Sequence, residues 1–155
     1  DSTRVATYMI GQVAGATTIA NAFPACLGLS PNWHGLAHGA GKSGGIEKLG
    51  RFDQFLAQNH ASFLTRLNET SEGEGTLLDR TIVLYGSSNS KTHNNHNYPL
   101  LLAGGRGLGL THGQFLKYNE RDMRLSNLYA TISNRLGVNE ERFSDSTGEM
   151  SDILA

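Results

Sequence analysis

The sequence predicts an α/β fold with a mostly parallel sheet flanked by helices. Two short apolar runs, residues 81–85 and 100–103, have the composition of strands that are buried on both faces of a parallel sheet. Amphipathic helical patterns precede the first run and follow the second, so the order is helix, strand, loop, strand, helix. Ligands of such sheets bind at the carboxyl ends of the strands, which makes the loop at residues 86–97 a candidate site.

The first third of the chain is predicted as a helix, an extended segment and a loop. Residues 5–19 carry apolar side chains at helical spacing, interrupted at two glycines, and residues 23–28 read as a short strand or extended segment. Residues 30–45 are rich in His and Gly and are predicted as a long loop. The positions on the first helix face are Val5, Met9, Val13 and Ile19.

The clearest helix follows that loop. Seven positions spaced by three or four residues share one face, and the helix is expected to end near Glu69, before a polar run at residues 70–75. His60 lies on this face, where a core-edge histidine bonded to a neighbour is a better interpretation than a metal ligand. The seven positions are Ile46, Leu49, Phe52, Leu56, His60, Phe63 and Leu67.

The remaining elements complete the predicted sheet and its last helix. Residues 86–90 form a turn after the first strand, and Pro99 precedes the second strand. A further helix face runs over residues 125–136, with Gly137 as its C-cap. Residues 1–155 are therefore expected to form a single α/β domain, or the C-terminal portion of a larger one. The apolar anchors of the tail are Phe143, Met150 and Leu154.

Composition narrows the function classes. The formal net charge is −1 and the basic residues are scattered, which argues against binding to nucleic acid through phosphate contacts. No apolar run approaches the roughly 20 residues of a membrane span. A single cysteine, Cys26, forms no intrachain disulfide and leaves the compartment open.

Three catalytic or nucleotide motifs fail on spacing. A phosphate-binding loop ending in Gly41-Lys42-Ser43 requires Gly at position 36, which is Leu36, and it requires a preceding strand. A dinucleotide fingerprint starting at Gly105 requires Gly at position 110, which is leucine. The turn at residues 86–90 lacks the second glycine of a nucleophile elbow, which weakens a serine hydrolase reading based on Ser87 or Ser88. No nucleotide or dinucleotide is therefore expected as a cofactor.

Histidines carry the strongest chemical signal. Four of the six form two close pairs in predicted loops, and imidazoles from two loops can converge on one metal ion. The alternatives are that Gly- and Asn-rich loops simply expose polar side chains, or that the histidines cap strand ends. The paired residues are His34 with His38, and His93 with His96.

Several stretches together resemble family 1552 of bacterial domains of unknown function. They are "DSTRVATYMIGQ", "HGLAHG", "GTLLDRTIVLYGSSNSKTHNNHNYPLLLAGG", "LSNLYATISNRLGV" and "RFSDSTG". The resemblance covers nearly the whole chain and is most specific over residues 75–105. It corresponds to the C-terminal part of that family, so an N-terminal portion of the parent protein is expected beyond this chain.

That family is similar to family 1501 and, through it, to the alkaline phosphatase and sulfatase superfamily. The resemblance implies an alkaline-phosphatase-like α/β fold and a divalent-metal site, with Zn, Ca or Mn as the ion, for cleaving phosphate or sulfate esters. The nucleophile of such enzymes comes from the N-terminal half, so no catalytic residue is assigned here. His38 and His96 match the family's histidine positions best, and His34 and His93 follow as further ligands or proton-transfer groups. The Asp-His pair of the superfamily would fall near residues 88–89, which are Ser and Asn, so the two-ion site is expected to be incomplete. Either one ion is bound differently, or the fold is kept and the phosphatase chemistry is lost.

The sequence also offers two candidate anion-binding residues, and the resemblance implies a cellular location and partners. Lys91 and Arg106 are candidate anion-binding residues, although solvation at the surface explains each equally well. The family suggests a periplasmic or otherwise exported protein, with cytochrome-domain proteins as partners. The alternative to a hydrolase is a non-catalytic exported binding or accessory module. Substrate, metal identity and oligomeric state do not follow from the sequence.

Overall fold

The chain divides into two compact units, residues 1–59 and residues 60–155. The computed structural model describes residues 3–10, 19–90, 93–119 and 123–155. The expectation of one α/β domain, or of the C-terminal portion of a larger one, stays a prediction.

The first unit is built around a small helical core. It contains a 3₁₀ helix at Ile19–Leu27, helix α1 at Trp33–Gly39 and the first part of helix α2, which spans Gly45–Glu69. The ring of Trp33 packs edge-on against Phe52, with centroids 5.2 Å apart. The buried members of this cluster are Leu29, Leu36, Phe52 and Leu56.

Helix α2 confirms the strongest helical prediction, and it begins and ends within a residue of the expected positions. Only the middle of its predicted apolar face is buried, because Ile46 is 72% exposed and Phe63 is 49% exposed. Neither α2 nor any other helix in the described ranges combines the length and apolar character needed to cross a membrane.

The second unit contains two antiparallel two-stranded ladders. Strands β1 (Ser71–Glu72) and β2 (Gly75–Thr76) form a short hairpin. Strands β3 (Ile82–Gly86) and β4 (Leu100–Gly104) pair with Ile82 opposite Gly104 and Gly86 opposite Leu100. Helix α3 (Leu125–Arg135) and the C-terminal segment complete this unit.

The predicted α/β fold with a mostly parallel, alkaline-phosphatase-like sheet is wrong. Strands β3 and β4 exist where expected but run antiparallel, and they pair only with each other among the described residues. A parallel pair requires a crossover of a dozen or more residues that packs against the sheet, which is usually a helix. The polar segment at residues 87–99 has no helical periodicity to form one, so the chain simply turns back.

The burial of this ladder follows from its pleat. Ile82 and Leu84 on β3, with Leu100 and Leu102 on β4, face the core of the second unit. The alternate residues lie on the other face, where Leu101 is 53% exposed. Val83, Tyr85 and Ala103 on that face are half-buried, as are the core-facing residues, so neither face of the ladder is fully enclosed.

Predictions for the first third of the chain also fail. Residues 3–10 are not helical, and Val13 lies outside the described residues. The predicted extended segment at 23–28 belongs to the 3₁₀ helix, and the predicted loop at 30–45 contains α1. Glycine and histidine are poor helix formers, so their intrinsic propensities predict a loop at this position. The short helix forms because its N-cap and the burial of Leu36 stabilise it.

A buried polar network joins α3 to the C-terminal segment. Asn127 donates through Nδ2 to Thr147 Oγ1 at 3.0 Å and accepts from the Thr147 backbone amide at 2.9 Å. Thr131 Oγ1 accepts from the Met150 amide at 2.8 Å and donates to the Asn127 carbonyl at 2.8 Å. These bonds hold Met150 against the core, as its predicted role as an anchor requires, and Ile153 is buried beside it.

Candidate functional site

Helix α1 positions the first histidine pair. The side chain of Asn32 caps the helix by accepting from the Gly35 amide at 2.9 Å. The His34 amide donates to Oδ1 of Asn21, a residue that is 2% exposed, so the start of the helix is tied to the 3₁₀ helix before it. The backbone that carries this pair is therefore held at two points.

The pair itself is close. The ring centroids of His34 and His38 lie 4.6 Å apart, with the ring planes inclined by 52°. The residues are four apart, which places them one above the other on a helix face. His34 is half-buried and His38 is exposed, so an ion could reach the pair from solvent.

A site made of two histidines leaves coordination positions of a metal ion unfilled by protein. Zinc binds imidazole nitrogen at about 2.0–2.1 Å and usually takes four ligands, so two positions would remain for water or other donors. Within the described ranges, no group of three or more His, Cys, Asp or Glu side chains is placed to hold a metal ion. The pair alone therefore offers at most two imidazole ligands.

The second pair lies in the loop between β3 and β4. His93 and His96 are both exposed, and His93 adopts a left-handed backbone conformation with φ of 62°. The His96 amide donates to Asn94 Oδ1 at 3.0 Å, a local turn contact. These residues belong to the second unit, and the meeting of His38 with His96 on one ion stays a prediction.

The positions expected to carry the superfamily's Asp-His pair are occupied by serine and asparagine, which are poor metal ligands. Ser87, Ser88 and Asn89 are exposed after β3, and Ser87 Oγ accepts from the Asn89 amide at 3.1 Å. The serine forms a local turn, as an exposed polar segment does.

The two predicted anion-binding residues have different outcomes. Lys91 lies outside the described residues. Arg106 lies in a 3₁₀ helix at Arg106–Leu108 and lines a shallow cleft with Asp79 and Arg80. The sequence reasoning missed Arg80 and Asp79, although the Thr-x-x-Asp capping pattern at residues 76–79 marks the start of the 3₁₀ helix Leu77–Arg80 that carries them.

Hydrogen bonds to Thr76 govern the electrostatics of this cleft. The Thr76 amide and the Thr76 hydroxyl donate to Oδ2 of Asp79 at 2.8 and 2.9 Å. These bonds, first the backbone one and then the side-chain one, hold the pKa of the Asp79 carboxyl below its usual value, and the charges of Arg106 and Arg80 act in the same direction. The carboxylate is therefore ionised and held in place at neutral pH.

The two remaining histidines have structural roles. His60 stacks on Tyr85 with ring centroids 4.3 Å apart, which agrees with its interpretation as a core-edge residue, although the contact is a stack. Its Nε2 atom is buried and has no hydrogen-bond partner. The Nε2 atom of His112 lies within hydrogen-bond distance of the Gly104 carbonyl at the end of β4.

Comparison with other proteins does not assign this chain to a family. No protein-family model, no curated protein and no solved structure matches the chain. The functional argument therefore depends on the side chains described above.

Proposed function

We propose that this chain binds a divalent metal ion through His34 and His38, as part of a metal-dependent hydrolase of phosphate or sulfate esters. The observation that carries the metal site is the 4.6 Å separation of the two rings on a capped helical turn. The hydrolase class is supported by the sequence resemblance to family 1552. Bound between these residues, the ion would act as a Lewis acid on an ester oxygen.

Ligand chemistry selects the ion. Imidazole nitrogen suits Zn²⁺, whereas Ca²⁺ takes oxygen ligands and Mn²⁺ prefers carboxylate, carbonyl and water. Zinc is therefore expected to bind more tightly than manganese, and manganese more tightly than calcium. His96 and His93 stay candidates for further ligands.

A zinc titration of the full chain tests the site. Wild-type protein is expected to bind one zinc ion per chain by calorimetry, and His34→Ala or His38→Ala is expected to abolish that binding. His112→Ala is the matched control, because it removes an exposed imidazole outside the pair. A wild-type chain without zinc affinity, or one whose affinity survives both substitutions, would show that the assignment is wrong.

Hydrolysis is a separate measurement. The zinc-loaded chain, alone and joined to the N-terminal remainder expected from the resemblance, is assayed with p-nitrophenyl phosphate and p-nitrophenyl sulfate. The hydrolase proposal expects zinc-dependent product release in the joined protein, which disappears in His38→Ala. Zinc binding without hydrolysis in either form would refute the hydrolase part.

A second candidate is a non-catalytic exported module that binds its partners through these loops. The described residues favour it in one respect: they supply no group of three metal ligands, the number that catalytic zinc sites use. In this case zinc raises the thermal unfolding temperature but no ester is cleaved. Cytochrome-domain proteins are the proposed partners, and co-purification of an exported parent with a haem protein is the test.

A further inference from the structure

A cleft in the second unit presents two arginines that the proposed metal site does not use. It has a volume of about 280 Å³ and opens to solvent. We infer that this cleft, here called the arginine cleft, binds a tetrahedral oxyanion, phosphate or sulfate, between Arg80 and Arg106. The lining residues are Gly75, Asp79, Arg80, Arg106 and Gly107.

The backbone fixes the two arginines near each other. The Gly105 amide donates to the Leu78 carbonyl at 2.9 Å, which joins the loop after β4 to the 3₁₀ helix before β3. A Cβ atom at Gly107 would lie 3.1 Å from the Asp79 carbonyl oxygen, so a glycine allows this close approach. The backbone segments that carry Arg80 and Arg106 are therefore held together by a hydrogen bond and a close contact.

The charge of the cleft is unbalanced. The lining contains two arginines and one carboxylate, that of Asp79, and the two hydrogen bonds that its Oδ2 accepts come from Thr76. In the described part of the chain, neither Arg80 nor Arg106 has a carboxylate oxygen within 4.0 Å. The lining residues alone therefore carry one more positive than negative charge.

Guanidinium geometry selects the ligand. Its parallel N–H groups match two oxygens of a phosphate or sulfate, and two such groups can hold one tetrahedral anion from two sides. Glu72 and Glu74 in the adjacent hairpin oppose an anion, and both arginines are exposed. Binding is therefore expected to be weak and sensitive to salt.

The test uses the full chain in buffer freed of metal over a chelating resin. Inorganic phosphate and sulfate are titrated at constant ionic strength, with sodium chloride as the compensating salt, and binding is followed by NMR shifts of arginine side chains and by the unfolding temperature. Arg80→Ala and Arg106→Ala are each expected to weaken phosphate binding about tenfold, the cost of one charge-assisted pair. Arg66→Ala, an exposed arginine of the same unit, is the control and is expected to leave binding unchanged.

A variant with the opposite sign separates binding from folding. Asp79→Asn removes the negative charge of the lining and is expected to tighten phosphate binding, even if loss of the cap lowers stability. The inference is overturned if phosphate and sulfate act no differently from chloride, or if Arg66→Ala weakens binding as much as the cleft variants. The phosphate titration contains no zinc, and the zinc titration contains no phosphate. Each experiment can therefore refute its own site, the arginine cleft or the proposed metal site, without affecting the other.

Discussion

At the scale of single residues, His60 has an unusual environment for a titratable group. Its ring lies nearly parallel to that of Tyr85, inclined by 16°, and its buried Nε2 has no hydrogen-bond partner. Burial lowers the pKa of this imidazole, because the charged form loses hydration that no neighbour replaces. The folded chain therefore favours the neutral form of His60.

This environment predicts a loss of stability in mild acid. Between the lowered pKa of the folded state and the ordinary histidine pKa of 6.5, the unfolded chain binds more protons, so the stabilisation is complete above about pH 6.5 and falls as the pH drops below it. His60→Phe keeps an aromatic ring next to Tyr85 and removes the titration. Urea unfolding at a series of pH values should show a smaller loss of stability in acid for His60→Phe. An unchanged pH profile would mean that other groups cause it.

The candidate sites show what residue-level sequence reasoning finds and misses. The spacing of His34 and His38 marks a pair, and the rings do meet, although the segment was expected to be a loop. Arg80 was missed because its partner, Arg106, lies 26 residues away and joins it only through the turn bonded at Leu78. Local spacing in the sequence can predict a pair of neighbours on one helix, such as His34 and His38. It cannot predict a pair such as Arg80 and Arg106, which only the tertiary fold brings together.

At the scale of elements, helices with amphipathic spacing were predictable and strand pairing was not. The periodicity of α2 and α3 reflects one buried face, which any packing partner would satisfy. The apolar runs of β3 and β4 fit a parallel or an antiparallel neighbour equally well, since composition reports burial and not direction. The direction depends on the connecting segment, whose described residues, 87–90 and 93–99, form no helix to make the crossover.

Two glycines, one just after helix α3 and one inside helix α2, are expected to respond to substitution by alanine with opposite signs. Gly137 ends α3 with φ of +84°, and Gly137→Ala is expected to destabilise the chain by about 1–2 kcal/mol because of the left-handed conformation. Gly50 lies inside α2 with no atom near its missing side chain, and Gly50→Ala is expected to stabilise by about 0.5–1 kcal/mol. Denaturant unfolding of both variants measures the difference. Changes of the same sign would contradict the assigned conformations.

The network between α3 and the tail predicts a cost for a nearly isosteric substitution. Thr131 is fully buried, and Thr131→Val leaves the Met150 amide without its acceptor, at a cost of about 1–3 kcal/mol. Thr65→Val, at an exposed position of α2, is the matched control and is expected to stay within about 0.5 kcal/mol of wild type. Equal effects of the two substitutions in urea unfolding would show that the network contributes nothing to stability.

At the scale of the whole molecule, the buried apolar side chains of the described residues form two clusters, one in each compact unit. The first contains residues between 10 and 56, and the second contains residues between 82 and 154. Composition indicates only that there is enough apolar surface for a core, and it does not reveal how that surface is divided. The division depends on which helix faces meet, as Phe52 meets Trp33.

Phe52 is the central residue of the first cluster, and it is fully buried. Phe52→Ala is expected to lower the free energy of unfolding of this unit by about 3–5 kcal/mol, through lost burial and the cavity it leaves. Phe63→Ala, on the same helix but half exposed, is expected to cost only about 1 kcal/mol. Amide hydrogen exchange within residues 45–56 measures the first effect. Unchanged protection there would contradict the assigned core.

The C-terminal residues close the second cluster: the Thr111 amide donates to the Ile153 carbonyl at 2.9 Å, and Leu110 and Leu154 form a β-bridge. During synthesis on the ribosome, the first cluster can assemble once residue 56 has emerged, since its contacts are all made by then. The second cluster has no complete core until residue 153 has left the exit tunnel. Nascent chains stalled before that point should therefore expose Leu110 and recruit chaperones, so folding of the second cluster is expected to lag behind that of the first.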